Sequence, residues 1–163
     1  MTLTPPLTEK FDLHGLLAAI AGAPGDDALI NTLTMPQWEM LASYLQPVHL
    51  VQGGMLFEQK AQDRNVYFVE EGSLSVHFED EKGRLRLALV GAGSALGEGA
   101  FFSHRPRSAT VQAGSACKLW MLSAVRFTEL SNRQPAVALG VALAIGAVLA
   151  KRLANRRRRV AAT

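Results

Sequence analysis

The sequence predicts a mainly β domain with flanking helices: an antiparallel, jelly-roll-like β-roll, preceded by helices and followed by one long helix. Three observations lead to this prediction. At 163 residues the chain fits one domain. Its 48% hydrophobic and 19% charged residues exclude a chain that is disordered throughout. About six to eight short apolar stretches, separated by turn residues, occupy its middle.

We divide the chain into four stretches. Residues 1–46 are expected to form helices that pack on the roll, and residues 47–122 the β-roll itself. Residues 123–155 are expected to form C-terminal helices, including one that dimerises. Residues 156–163 are a basic tail.

Two short helices are predicted ahead of the roll. Residues 8–23 place apolar side chains on one face of a helix, and the glycines and proline at 22–25 end it. Thr34 with Gln37 three residues later has the pattern of a capping box, so a second helix is expected to run to about Leu45.

The strands follow from alternation of apolar and polar residues. The clearest stretch has Glu71 and Gly72 in its middle, which predicts a tight turn or a bulge there. The predicted strands lie near residues 48–50, 55–57, 66–78, 85–89, 110–113 and 118–122.

The end of the chain returns to helix. Ser123 is expected to cap a short helix to about Asn132, and Pro135 to begin a long one that continues into the arginines. Residues 136–150 are all apolar, so this helix has to be covered on every side. Fifteen residues fall short of the roughly 20 that span a bilayer, so packing between the roll and a second copy's helix is preferred to a membrane span.

The charge is divided unevenly along the chain. Residues 151–163 carry six of the 17 basic residues, which leaves 11 basic against 14 acidic residues, a net −3, in residues 1–150. An acidic body argues against a nucleic-acid-binding surface spread over the fold. Contact of Arg156 to Arg159 with nucleic acid or membrane is kept as a lesser alternative. The lone Cys117, and first residues unlike a signal peptide, favour a cytoplasmic protein.

Residues 91–111 carry the chemistry. Four glycines in nine residues precede a short helix predicted at 100–103, and such a loop can turn backbone N–H groups toward an anion. Arg107 can pair with a phosphate through its guanidinium, and Glu98 can accept a hydrogen bond from a sugar hydroxyl. Together they predict a site for a phosphorylated sugar.

These residues resemble the phosphate-binding cassette of the cyclic nucleotide-binding domain. This β-roll module occurs in bacterial regulators of the catabolite-activator type and in cyclic-nucleotide-dependent kinases and channels. The match includes Gly97 and Glu98, a short helix with Ala100, and the Pro-Arg-Ser-Ala-Thr-Val stretch at 106–111. The resemblance extends over about residues 35–150.

The resemblance implies a ligand such as cAMP or cGMP and no metal or other cofactor. It implies that Glu98 accepts the ribose 2′-hydroxyl, that Arg107 pairs with the cyclic phosphate, and that backbone N–H groups near Ala100 and Ser108 complete the anion site. Val76 and Leu87, on adjacent strands, are expected to form an apolar floor under the ribose and base. The candidate ligand-binding residues are Gly97, Glu98, Gly99, Ala100, Arg107, Ser108, Ala109, Val76 and Leu87.

We therefore expect a non-enzymatic sensor that dimerises through residues 135–152. The state of its ligand would pass through the C-terminal helix to an unidentified protein partner. Residues 136–150 offer no polar side chain that could read an adenine, so cAMP, cGMP and a cyclic dinucleotide all stay open. No helix-turn-helix follows the long helix, so an ordinary transcription activator is not expected.

Two alternatives belong to other classes of protein. In the first, the β-roll is a ligandless dimerisation or scaffold module, and Glu98 and Arg107 pair with each other. In the second, the arginine tail contacts nucleic acid or membrane on its own. Scattered histidines and serines without a nearby His-Asp pattern predict neither a metal site nor a catalytic nucleophile.

Overall fold

The computed structural model describes residues 12–23 and 27–161. Within them lie five helices and eight strands. The helices are α1 His14–Gly22, α2 Met35–Ala42, α3 Glu98–Ser103, α4 Ala124–Arg133 and α5 Pro135–Ala161. The strands are β1 Gln46–Leu50, β2 Met55–Phe57, β3 Val66–Glu71, β4 Leu74–Glu79, β5 Leu85–Val90, β6 Ala95–Leu96, β7 Thr110–Ala113 and β8 Cys117–Leu122.

The strands form two antiparallel sheets of four strands each. Their orders are β1-β8-β3-β6 and β2-β7-β4-β5, so strands that are neighbours in sequence often belong to different sheets. The antiparallel β-roll with flanking helices and a long C-terminal helix is therefore confirmed.

Strand β3 shows how the roll and the helices share one sheet. Because successive side chains of a strand alternate between faces, Val66 and Phe68 join the apolar cluster under the helices. Tyr67 and Val69 join the cluster between the two sheets. The domain thus has two apolar layers, one inside the roll and one between the first sheet and α1, α2, α4 and α5.

Both predicted helix caps are present. Thr34 Oγ1 accepts from Gln37 N at 3.4 Å while Thr34 N donates to Gln37 Oε1 at 3.0 Å, which is the capping box. Ser123 Oγ accepts from Arg126 N at 3.1 Å at the start of α4. Helix α2 ends at Ala42 and not at Leu45, because the chain turns there toward β1.

Other predictions need correction or lie outside the described residues. A bulge occurs between Val69 and Glu71, as predicted, but the chain then passes to the other sheet and β3 does not pair with β4. Strand β6 was not predicted. The beginning of the first predicted helix, the turn at 24–25 and the side chains of the arginine tail fall outside the described part of the chain.

Residues 27–33, which we call the strap, run along α5. Leu33 lies so close to Gly140 that an added Cβ there would approach its Cδ2 to 2.4 Å, and Thr32 Oγ1 donates to Gly140 O at 2.8 Å. At the other end of the strap, Asp27 Oδ1 accepts from Arg152 Nε at 3.0 Å. Twelve residues of helix and six of extended chain each span about 20 Å, so the strap matches the part of α5 that it covers.

Over residues 135–155, whose side chains the structure describes, helix α5 is covered on one face and exposed on the other. Its buried face packs into the apolar cluster under the helices, whereas Leu139 and Leu143 are 61% and 59% exposed on the other face. By length and composition its Pro135–Asn155 part is also long and apolar enough to cross a membrane, a test that core helices of soluble proteins pass as well. The length argument against a membrane span rests on residues 136–150 and does not apply to the whole helix, because α5 continues past Ala150.

Candidate functional site

The cassette segment lies where β6, α3 and β7 meet at one end of the roll. Helix α3 is anchored by Phe101, which is 7% exposed. Its ring makes an edge-to-face contact with Phe127 of α4 at a centroid distance of 5.0 Å. The cassette helix therefore shares its packing with the C-terminal helices.

Gly97 connects β6 to α3, and no other residue type fits there without strain. Its φ is +84°, in the left-handed region. An added Cβ would lie 2.5 Å from Arg107 Nη1 and 2.6 Å from Asn65 O. Gly97 thus permits the guanidinium to approach the backbone of the cassette.

Arg107 is buried, with 3% of its surface exposed, and the roll surrounds it with acceptors. Its Nε donates to Asp63 Oδ1 at 3.2 Å, and Nη2 donates to the other oxygen of the same carboxylate. Nη2 also donates to Asn65 O at 2.7 Å, and Nη1 to Gly97 O at 3.0 Å. The Cζ atom lies 4.0 Å from the centroid of the Phe57 ring.

These bonds occupy four of the five guanidinium N–H groups. The fifth, on Nη1, has no acceptor among the described residues. Asp63 neutralises the charge of Arg107, and 38% of its side chain is exposed. An arriving anion therefore has to use the remaining N–H group or displace part of the Asp63 carboxylate.

Glu98, the first residue of α3, pairs with a residue of α5. Arg152 Nη1 donates to Glu98 Oε1 at 2.6 Å, and the two side chains are 22% and 13% exposed. Arg152 also donates to Asp27 of the strap, to Ser94 Oγ at 3.0 Å and to Ala95 O at 2.8 Å. One guanidinium therefore joins α5, the strap, β6 and the cassette.

The charge on Arg152 is stabilised where it lies. Burial disfavours the charged form, but the carboxylates of Glu98 and Asp27 outweigh burial and raise the pKa of Arg152 above its ordinary value. The guanidinium stays protonated at any pH at which the protein is folded.

The structure brings the main predicted residues together around one peptide unit. Arg107 binds the carbonyl of Gly97, and Glu98 follows Gly97 in the chain. Ala100, two residues after Glu98, and Ala109, two residues after Arg107, are buried, at 7% and 9% exposure. Gly99 and Ser108 are exposed.

Val76 and Leu87 do not form one floor, and this expectation is wrong. The β4–β5 register pairs Val76 with Ala88 and Leu87 with His77, so the two residues lie on opposite faces of the sheet. Val76 packs against the cluster inside the roll, whereas Leu87 is 66% exposed on the outer face. Ala88 is the β5 residue that pairs with Val76 and lies on its face of the sheet.

The alternative in which Glu98 and Arg107 pair with each other is also not what the structure contains. Each has its own partner, Arg152 for Glu98 and Asp63 for Arg107. Sequence reasoning missed both partners. Arg152 is one of the six basic residues of 151–163, to which the sequence assigns no role at the site, and Asp63 lies in a loop without a recognisable motif.

Comparison with known proteins identifies the family. The sequence profile described as "Cyclic nucleotide-binding domain" matches residues 47–134, more than half of the chain. The chain therefore belongs to the cyclic nucleotide-binding domain family, whose members are in general regulatory and not enzymatic.

Two relatives are regulatory subunits of protein kinases. The cAMP-dependent protein kinase regulatory subunit of Mycosarcoma maydis is 31% identical over 123 residues, which cover 68% of this chain and 23% of that subunit. The type II regulatory subunit of Drosophila melanogaster is 34% identical over 79 residues, 48% of this chain and 21% of the subunit. The chain thus spans about a quarter or less of the length of these relatives.

Solved structures agree on the fold. A cyclic nucleotide-binding domain from Methylobacillus flagellatus superposes with a TM-score of 0.79 at 19% identity, covering 91% of this chain and 82% of that one. The catabolite activator protein of Thermus thermophilus superposes with a TM-score of 0.67 at 27% identity, covering 78% and 59%. The β-roll is that of catabolite-activator-like proteins.

Proposed function

We propose that this chain is a cytoplasmic sensor whose roll binds a cyclic purine nucleotide and whose C-terminal helix transmits the bound state. The observation that carries the proposal is the meeting of Arg107 and Glu98 on either side of Gly97. A guanidinium bound to the carbonyl of one residue and the carboxylate of the next suit the phosphate and the ribose hydroxyl of one ligand.

The phosphate is proposed to bind at Arg107. A cyclic phosphate carries one negative charge, so one guanidinium and backbone donors suffice without a metal. The remaining N–H belongs to Nη1, the same nitrogen that donates to Gly97 O. Asp63 is partly exposed, so its carboxylate can rotate toward water as the phosphate arrives.

We propose cAMP as the first candidate ligand and cGMP as the second. Two relatives are named as cAMP-dependent, which favours the adenine nucleotide. The apolar stretch of α5 offers the base only apolar contact, so the choice between the two purines rests on other elements of the site.

Transmission through α5 is supported by shared packing. Phe101 of the cassette helix joins the same apolar cluster as Val141 and Ile145 of α5. A shift of α3 on ligand binding therefore changes the surface on which α5 rests. Two packings that differ by only a few kcal/mol suffice for a switch of this kind.

The exposed face of α5 is proposed to bind a second copy of the chain. Its residues recur with the alternating spacing of three and four that a coiled-coil seam requires. They are all apolar or small: Ala136, Leu139, Leu143, Gly146, Ala150 and Leu153. The same face with the basic tail could instead lie on an anionic membrane, and the experiment below separates the two.

One observation favours a ligandless scaffold as the second candidate. Arg107 is buried, and four of its five N–H groups are already satisfied by the protein. In that case the Arg107 cluster is purely structural, and no nucleotide displaces Asp63.

Calorimetric titration with cAMP and cGMP tests nucleotide binding. We expect saturable heat with the wild type and with Arg105→Met, an exposed neighbour in the same loop, and none with Arg107→Met. Absence of binding to the wild type at millimolar concentrations of either nucleotide would leave the scaffold function.

Sedimentation of the Leu143→Asp variant tests the dimer. A carboxylate in the seam should convert a wild-type dimer to a monomer, whereas Leu87→Asp, on an exposed face of the roll, should stay dimeric. The alternative outcome is a wild type that is monomeric and binds phosphatidylserine vesicles, together with a Leu143→Asp variant that does not bind them. That outcome would show that the exposed face of α5 contacts a membrane and not a second copy.

A further inference from the structure

We propose that Arg152 is a positioning residue for the ligand. By holding one oxygen of Glu98, it aims the other at the ribose 2′-hydroxyl, so that the docked state of α5 contributes to nucleotide affinity. The inference rests on the proposed function, since it requires a cyclic nucleotide at Glu98.

Arg152 binds one of the two oxygens of the Glu98 carboxylate and leaves the other available. Arg152 takes Oε1 at 2.6 Å, and Oε2 has no donor among the residues described. A carboxylate can accept hydrogen bonds at both oxygens, so the contact with Arg152 leaves room for a hydroxyl donor. Arg152 thus fixes the Glu98 side chain, and Oε2 can still accept a hydrogen bond from the ligand.

Arg152 is itself fixed by three further acceptors. They are the Asp27 carboxylate at 3.0 Å, Ser94 Oγ at 3.0 Å and Ala95 O at 2.8 Å. Ser94 Oγ in turn donates to Asp27 O at 2.5 Å. A glutamate side chain loses about 1.5 kcal/mol or more of rotamer entropy when it is immobilised. Here the protein has removed that freedom before the ligand arrives.

The charge of Arg152 acts in the same direction. Without it, an anionic ligand would approach three carboxylates, Asp63, Glu98 and Asp27, and among the residues that the structure describes Arg107 would be the one cation left in contact with any of them. With it, Glu98 is neutralised by a direct ion pair. The phosphate then meets less repulsion from the ribose end of the site.

The contact makes affinity depend on where α5 lies. Arg152 reaches Glu98 only while the strap and the cluster under the helices keep α5 on the roll. When the end of α5 leaves the roll, Glu98 loses its contact with Arg152 and the affinity for the nucleotide falls. By linkage, the ligand stabilises the docked helix by the same factor.

The experiment compares each cyclic nucleotide with its 2′-deoxy analogue on the full chain. In the wild type the 2′-hydroxyl should contribute about tenfold or more to affinity, the effect of one hydrogen bond to a charged group. In Arg152→Met this ratio should fall to about threefold or less, because Glu98 is no longer held. Lys151→Met, the adjacent basic residue of α5, is the matched control and should keep the wild-type ratio.

The ratio separates positioning from a structural role. If Arg152→Met weakens both nucleotides equally and leaves the ratio unchanged, Arg152 acts only on stability and the inference is wrong. If the wild type binds the 2′-deoxy analogue as tightly as the parent nucleotide, the inference fails while nucleotide binding stands. If the wild type binds neither cyclic nucleotide, the proposed function fails and the inference with it.

A second variant and a ligand-free measurement cover the case in which Arg152→Met does not fold. Arg152→Lys keeps the charge but not the forked geometry, so its ratio should lie between those of the wild type and a variant without a cation at 152. Without nucleotide, amide exchange in residues 146–155 should be faster in the Arg152 variants than in Lys151→Met. Equal exchange in the two would contradict the role of Arg152 in docking α5.

Discussion

The two ends of the proposed nucleotide site are built from different parts of the molecule. All acceptors of Arg107 belong to the roll: the Asp63 carboxylate and the carbonyls of Asn65 and Gly97. Glu98 is held from outside the roll, by Arg152 of α5. The phosphate end of the proposed site, at Arg107, is therefore as rigid as the roll. The ribose end, at Glu98, depends on the position of α5.

This difference indicates how one small ligand could report on the helix. A site held entirely within the roll would bind its ligand in the same way wherever α5 lies. A site shared with α5 binds best in one arrangement, and it favours that arrangement in return. Three substitutions, taken from the largest expected effect to the smallest, test whether the two ends differ in this way.

Arg107→Met should destabilise the roll most, by about 3 kcal/mol, because it removes a buried guanidinium that makes four hydrogen bonds. Asp63 and the two carbonyls would lose their donor. Urea unfolding followed by tryptophan fluorescence measures the loss. Arg105→Met, at an exposed position two residues earlier, should change stability by less than about 0.5 kcal/mol. A loss below about 1 kcal/mol for Arg107→Met would contradict the rigid character of the phosphate end.

Gly97→Ala should cost about 2 kcal/mol, since the residue adopts a positive φ and its Cβ would meet Arg107. Gly99→Ala is the matched control, because a Cβ there meets nothing within 4 Å. In the first turn of α3 it should be neutral or stabilising by about 0.5 kcal/mol. Thermal unfolding measures the melting temperatures of both variants. Similar melting temperatures would show that a glycine is not required at position 97, between Arg107 and Glu98.

Thr32→Val should have the smallest effect, about 0.5–1 kcal/mol, by removing one hydrogen bond between the strap and Gly140 of α5. The control is Thr128→Val, whose hydroxyl bonds only to Ala124 O in its own helix and is expected to change little. Amide exchange of the first turns of α5 should quicken in the Thr32 variant alone. Equal exchange in both variants would mean that the strap does not hold α5.

Much of the fold could be predicted because its signals are local. The capping box at Thr34, the cap at Ser123 and the alternation in β3 each depend on residues a few positions apart. Gly97, Glu98 and Arg107 lie in one continuous segment, so they could be recognised together as one candidate site for the same reason.

The rest depends on contacts between distant segments. Asp63 and Arg107 are 44 positions apart, and nothing in the spacing of the loop indicates that the carboxylate faces the guanidinium. The position of Leu87 could have been found by setting the β4–β5 hairpin in register around its turn, because a shift of one residue exchanges the faces. Alternation alone does not say which face is inner.

The bond between Asp27 and Arg152 has a consequence for the order of folding. It joins residues 125 positions apart, so closing that loop early would cost about 2–3 kcal/mol more chain entropy than closing the β4–β5 hairpin. We expect the sheets to assemble first and this link to form in the final stage. Removal of the last turns of α5 should then leave a folded β-roll whose strap, at residues 27–33, has lost its bond to Arg152.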